Sequence, residues 1–193
     1  MSDLFLFYFD IFIWLTPSIH PFYVQGHHYY TEKRQKYHAS DYSTKKALEF
    51  LNVRPKDKPF ALTVAYYPPK AVGDDNAPGN QYFPKSMHMS LFANETVPHP
   101  IGRGNDESWK KMPEFFSDRN MARGRWKSRM GNETQYQASM KNYYRLVYEI
   151  DEACSVIIKE LEERGLMNNT MVIFTTDNGF FHGEHGMSGK WCV

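Results

Sequence analysis

Cysteine is scarce in this sequence: two residues among 193, Cys154 and Cys192. That number supports neither a disulfide framework nor a four-cysteine zinc site, and it leaves the redox compartment open. Charge of one sign is missing too, since 23 basic residues stand against 22 acidic ones for a formal net charge of +1. Partners held by bulk charge, as by a histone-like polyelectrolyte, are excluded, so any electrostatic partner must meet a local patch. A membrane span of about 20 apolar residues is absent as well. The run Leu4 to Leu15 (LFLFYFDIFIWL) falls short of that length and is interrupted by Asp10. It also lacks the cationic start and small-residue cleavage point of a secretory signal, because the chain opens Met-Ser-Asp and the run ends at Thr16-Pro17-Ser18. Residues 1–39 therefore read as an apolar N-terminal extension, a buried strand or a stretch outside the folded domain, with a cleaved signal as the lesser alternative.

What is present belongs to a globular domain. Hydrophobic residues make up 41% and aromatics 16% of the chain, too rich for intrinsic disorder. A mean hydropathy of −0.62 excludes a polytopic membrane protein. The length suits one domain of ordinary size, placed at residues 40–193. Three Asn-x-Thr sequons, at Asn94, Asn132 and Asn168, lean towards a secretory route.

Periodicity supplies the fold class. Ser43 to Asn52 carries Ala47, Leu48 and Leu51 at helical spacing, with Ser43 or Asp41 as candidate caps and Pro55 and Pro59 as stops. Phe60 to Tyr67 (FALTVAYY) reads as a largely buried strand. Further on, Met140, Tyr143, Val147, Ile150, Cys154, Ile157 and Leu161 form one stripe of a long helix, with Asn132 and Gln135 resembling a capping box and Gly165 a stop. Thr170 to Thr176 (TMVIFTT) gives a second buried-type strand. Two helix-then-strand units with apolar strands indicate an α/β fold, a mostly parallel sheet flanked by helices. Residues 68–131 have many prolines and no sustained period, so they read as surface excursions framing a site.

Chemistry concentrates after the second strand, where an open α/β sheet places its ligand crevice. Asp177, Asn178 and Gly179 offer a carboxylate and an amide oxygen, the hard donors that Ca²⁺ or Mg²⁺ prefers, on a chain that can turn sharply. The same tripeptide also makes a plain turn without any ion. His182 and His185 form an H-x-x-H pair, but the flanking glycines oppose a helix and no third zinc ligand is apparent.

The segment Phe174 to Trp191 (FTTDNGFFHGEHGMSGKW) resembles the sulfatase family, within the alkaline phosphatase superfamily. The likeness continues back through KNYYRLVYEIDEACSVIIKELEERGLMNNTMVIF, and more thinly through DYSTKKALEFL and KDKPFALTVAYY, so it covers roughly residues 40 to 191. The resemblance implies that Asp177 and Asn178 are metal ligands, of calcium with magnesium as the alternative, and that Lys190 is the catalytic cation contacting the sulfate group. For His185 it leaves a hydrogen bond to substrate or leaving group beside a histidine that only braces its loop. The implied substrate is a sulfate ester, expected on a sulfated carbohydrate, with no nucleic acid as partner, and a secreted, secretory-pathway or lysosome-like compartment.

Departures from the family pattern are equally specific. The C-x-P-S-R motif, whose cysteine becomes the formylglycine nucleophile in sulfatases, is absent: Cys154 precedes Ser155-Val156-Ile157, and Cys192 stands next to the last residue. An early strand ending in paired aspartates is missing, and Asp74-Asp75 lies in a Gly/Asn/Pro loop where we expect it to be solvated. Where many sulfatases have Pro-His after the first strand, this chain has Pro68-Pro69-Lys70, making Lys70 either a substrate-binding charge or an exposed loop lysine. We therefore expect an incomplete sulfatase, inactive alone, binding metal weakly and leaving strand edges unpaired.

A last patch bears on substrate. Arg123, Arg125, Lys127 and Arg129 alternate, so an extended conformation would point all four to one side beside Arg119 and Trp126. Such a strip, with Arg123 and Arg125 foremost, would bind a sulfated polysaccharide, contact nucleic-acid phosphates, or simply be a solvated face. Two other readings stand beside the sulfatase: a phosphate or phosphonate ester hydrolase of the same superfamily, and a non-catalytic glycan-binding remnant.

Overall fold

Helix α1, Ala39–Val53, shows how the sequence pattern becomes structure. Its buried residues Ser40, Thr44, Ala47, Phe50 and Leu51 recur at helical spacing and form one stripe. The helix begins earlier than the apolar spacing predicts. His38 is its N-cap, so Ser43 and Asp41 lie inside it, and Asp41 sits in the first turn, where the helix dipole favours an acid. Arg54 ends the helix in an extended conformation forced by Pro55.

This computed structural model describes residues 10–12, 23–25, 38–72, 81–117 and 119–190. Within the N-terminal extension, β1 (Asp10–Phe12) pairs antiparallel with β2 (Tyr23–Gln25), and the rest of the apolar run Leu4 to Leu15 lies outside the described residues. Asp74-Asp75 and Cys192 lie outside them as well. The chain divides into two units: Met1–Pro69 with Val147–Met171, and Lys70–Leu146 with Val172–Val193. Helix α2 (Asp106–Trp109) and helix α3 (Met121–Met130) belong to the second. Helix α4 (Glu133–Glu163) contributes its first part to the second unit and its remainder to the first. The hairpin β3 (Phe181–His182) and β4 (Ser188–Gly189) completes the second unit.

The first unit is organised around Phe50, Leu51 and Leu161, with Phe60, Leu62, Ile157, Leu166 and Met167 packed against them. The Phe50 and Phe60 rings meet edge to face at 6.0 Å. Gly165 ends α4 in a Schellman turn: Leu166 N donates to Leu161 O at 2.8 Å and Gly165 N to Glu162 O at 2.9 Å. At the other end of the helix, Asn132 Oδ1 accepts from Gln135 N at 2.9 Å, as the capping pattern predicts. The buried line along α4 differs from the predicted stripe in one place. Leu146 and Ala153 are buried and Val147 is exposed, because the buried face beyond Met140 is the one shared by Asn142, Arg145, Leu146, Glu149, Ile150 and Ala153 at about 100° per residue, and position 147 falls outside it.

Both expected buried strands require correction. Phe60 to Tyr67 is not laddered and is only partly covered: Phe60, Leu62, Val64, Tyr66 and Tyr67 are half-buried, while Ala61, Thr63 and Ala65 are exposed. Tyr66 Oη lies 3.2 Å from Thr44 Oγ1, and burial pushes the phenol up to about 12. Thr170 to Thr176 likewise lacks a ladder, leaving Met171, Val172, Ile173 and Phe174 exposed at 85%, 48%, 75% and 79%. Among the described residues the only strand pairs are the antiparallel β1–β2 and β3–β4, so the parallel sheet is not formed there. A strand needs a neighbour's backbone groups, which an apolar sequence invites and cannot itself supply. No helix among the described residues is long and apolar enough to cross a membrane.

An unladdered segment with four exposed apolar side chains is a template for self-association. Ile173→Lys should lower the concentration-dependent light scattering of the chain while changing its unfolding free energy by no more than about 0.5 kcal/mol, the usual scale for an exposed substitution.

Candidate active site

The second unit builds the site from a helix outwards. Asn120 caps α3, its Oδ1 accepting from Arg123 N at 3.1 Å, and the helix then runs through MARGRWKSRM, a segment with no β-branched residue. The extended conformation expected for the cationic strip is therefore wrong. On a helix the four cations spread around the axis: Arg123, Arg125 and Arg129 are buried, and Lys127 is exposed. Arg129 Nε donates to Gln81 Oε1 at 2.8 Å. Arg123, 1% exposed, pairs with Asp106 and donates from Nη1 to Gly186 O at 3.1 Å. These arginines are interior groups of the unit. Within the loop-rich stretch this helix went unforeseen, and the polar residue Asn120 ahead of a run of good helix formers was the signal that could have found it.

Helix α3 packs against β4 and so supports the β3–β4 hairpin. Phe181 and Met187, flanking the turn, are fixed against Trp109, Ala122, Met112 and Phe116. From the other side the segment Pro100 to Gly104 holds the turn: His185 N donates to Gly102 O at 2.8 Å, Gly104 N donates to Gly183 O at 3.2 Å, and Arg103 bridges Glu184. That segment is anchored in turn at the start of α4. Tyr136 Oη donates to Pro98 O at 2.8 Å, His99 Nε2 lies 2.6 Å from Glu133 Oε2, and Gln137 bonds both backbone groups of Val97 at 2.9 Å. The bonds from Gln137 and His99 lower the Glu133 pKa.

Asp177, Asn178 and Lys190 come together. Asn178 Nδ2 donates to Gly179 O at 2.7 Å, which orients the amide so that its Oδ1 accepts from Lys190 Nζ at 2.8 Å. The same ammonium lies 3.8 Å from Asp177 Oδ2, whose carboxylate is 80% exposed. One cation thus sits on two neighbouring hard oxygens at an open surface, an arrangement that can present positive charge to an anion. His185 has an exposed ring and a left-handed backbone, φ 54°, on the turn between β3 and β4. Lys70 is half-buried after the cis Pro68–Pro69 bond.

Two oxygens fall short of the about six to eight that Ca²⁺ takes. No group of three or more His, Cys, Asp or Glu residues that could hold a metal occurs among the described residues. Asp177 and Asn178 do not by themselves make a cation site.

The profile described as Sulfatase matches residues 14–191. The chain is 27% identical over 208 residues to an N-acetylglucosamine-6-O-sulfatase of Bacteroides thetaiotaomicron, covering 81% of this chain and 36% of that one. It is 26% identical over 123 residues to the human N-sulphoglucosamine sulphohydrolase, covering 64% of this chain and 22% of that one. A solved structure of a protein in complex with its substrate D-glucosamine-2-N,6-O-disulfate is similar with a TM-score of 0.56 at 25% identity, over 82% of this chain and 42% of the other. The chain belongs to the sulfatase family, with its alkaline-phosphatase-like fold. It spans less than half the length of each of these relatives. Sulfatases are hydrolases, and the family is generally metal-dependent.

His182, next to this turn, was overlooked as a titrating group. Its ring contacts Tyr143 at 4.2 Å and Phe180 at 4.9 Å between centroids, and its backbone N donates to Glu184 Oε2 at 2.6 Å. Burial lowers its pKa from 6.5, while Glu184 acts the other way. A histidine held below its unfolded pKa favours the neutral folded form, so its contribution is present above pH 6.5 and lost as pH falls from there towards the folded value. The melting temperature should drop in that window, and His182→Phe should flatten the slope. An unchanged slope in that variant would remove the assignment.

Proposed function

We propose that this chain carries one part of the active site of a sulfuric ester hydrolase acting on a sulfated carbohydrate, with sulfated glucosamine as the substrate class. The observation that carries this reading is the convergence of Lys190 Nζ with Asn178 Oδ1 and Asp177 Oδ2, at 2.8 and 3.8 Å. The names of the relatives support the substrate class, since two of them act on sulfated glucosamine derivatives and the solved structure holds one. Cleavage of a sulfate ester builds negative charge on the bridging and non-bridging oxygens. A preplaced ammonium aimed at them lowers the barrier. In this reading Lys190 is that ammonium, and the exposed His185 imidazole hydrogen-bonds substrate or leaving group. Lys70 is a further candidate for the substrate's charge.

Asp177 and Asn178 are assigned as two oxygens of a divalent-cation site, calcium first and magnesium second. When bound, the cation adds positive charge opposite the ester oxygens. Cys154 is unsuited to the formylglycine role: it stands within α4, half-buried, with burial raising the thiol pKa. A secretory route is supported by the exposure of all three sequon asparagines, Asn94, Asn132 and Asn168.

The test is calorimetric titration of the chain with D-glucosamine 6-sulfate and with unsulfated glucosamine, in calcium-containing buffer. The sulfated sugar should bind at least about tenfold more tightly, the scale of one charge-assisted contact. Lys190→Ala should erase that preference, and Asp177→Ala should reduce calcium binding. Equal affinity for the two sugars would defeat the reading, and a preference for glucosamine 6-phosphate over the sulfate would move it to the phosphate-ester branch of the superfamily.

A further inference from the structure

The guanidinium of Arg123 is more tightly enclosed than any surface substrate contact would require. Its carbon lies 4.8 Å from the centre of the Trp109 ring and 4.4 Å from that of Trp126, so the planar group is flanked by two indoles. Its fork is used in two directions, Nη2 towards Asp106 and Nη1 to the carbonyl of Gly186 at 3.1 Å. Gly186 has φ 70°, and a Cβ on it would lie 2.4 Å from Arg123 Nη1, so only glycine lets the backbone reach the guanidinium. On the opposite side, a Cβ on Gly104 would lie 1.9 Å from Gly186 N. The turn is thus pinned between Gly102–Gly104 and Arg123. The residue so held is His185, a non-glycine at φ 54° with an exposed ring, a backbone state that persists only where its surroundings over-determine it.

We propose that Arg123 is a positioning residue: by fixing the Gly186 carbonyl it holds the His185 turn in the left-handed conformation that presents the imidazole to the sulfated substrate. The proposal rests on the reading of His185 as a substrate contact. Arg123 itself touches no substrate, being 1% exposed. Lysine in its place keeps the charge and loses both the fork and the flat face that stacks between the indoles.

Arg123→Lys, His185→Ala and the double variant of the whole chain separate the possibilities. Amide hydrogen exchange followed by NMR reports the clamp directly. Exchange at the His185 amide, bonded to Gly102 O in the parent at 2.8 Å, should speed up at least about tenfold in Arg123→Lys, while amides of the Leu51 and Leu161 core stay protected. Titration with D-glucosamine 6-sulfate reports the consequence. Arg123→Lys should weaken binding by about three- to tenfold, His185→Ala by a similar factor, and the double variant no further than His185→Ala, the non-additivity expected of two groups acting through one contact. Losses that multiply in the double variant, or an unchanged His185 exchange rate, overturn the proposal. Should Arg123→Lys fail to fold, Asp106→Asn releases the same guanidinium from outside the core and should produce the same pattern at smaller amplitude. If His185 exchange responds but the parent does not distinguish the sulfated from the unsulfated sugar, the clamp survives as geometry, and both the function reading and the substrate-presenting role fall.

Discussion

A guanidinium taken out of water must be met by acceptors and aromatic faces, and meeting that requirement for Arg123 organises the second unit. Asp106 comes from the first turn of α2, Trp109 from its end, Trp126 from α3 itself and the Gly186 carbonyl from a turn some sixty positions downstream. None of these groups is near Arg123 in sequence except Trp126. Bringing them to one point brings α2, α3 and the β3–β4 turn together. Apolar packing of Ala122, Trp109 and Met187 then consolidates the same junction. Arginine is always protonated at working pH, so the charge cannot be discarded to relieve a poor fit, and the turn must conform to the arginine.

Long helix α4 was the most legible element, for a physical reason. A helix satisfies its own backbone within a few residues, so caps and periodicity carry most of what is needed. Asn132, Gly165 and the stripe from Met140 to Leu161 all act locally, and only Val147 was misplaced. Strands are different. The composition of Phe60 to Tyr67 and Thr170 to Thr176 suits a sheet, but the ladder that makes a strand belongs to a second segment that neither run specifies. Burial of α3 was illegible for a related cause: alternating arginines look like a solvated or ligand-facing strip until the indoles and carbonyls that enclose them are known.

The candidate site divides along the same line. Asp177, Asn178 and Lys190 were named from their residue chemistry and a sequence resemblance, and their proximity in space could not have come from spacing, since the twelve residues between Asp177 and Lys190 hold a hairpin whose register the spacing does not specify. What the sequence concealed was the support: the Gly102–Gly104 segment beneath His185, and the His99, Glu133 and Tyr136 contacts that anchor it. Supporting residues bond to backbone as often as to side chains, so they leave no motif.

Those two halves of the site are unequally prepared. On one side, Lys190 follows a β-hairpin backed by a packed helix, and His185 stands on a turn bonded from both flanks. On the other, Asp177 and Asn178 close an extended segment whose backbone has no ladder and whose apolar side chains are exposed. Thr176 Oγ1 donates to Asn178 O at 2.9 Å, Asn178 Nδ2 to Gly179 O, and the Lys190 ammonium reaches both Asn178 Oδ1 and Asp177 Oδ2. An oxygen pair so lightly held pays in entropy whenever it is ordered around a ligand, whereas the cationic side is already in place. Under the proposed reading, an anion would first meet the better-supported Lys190 and His185 side, and the Asp177–Asn178 oxygens would settle as the Lys190 ammonium shares its bonds between them and the sulfate.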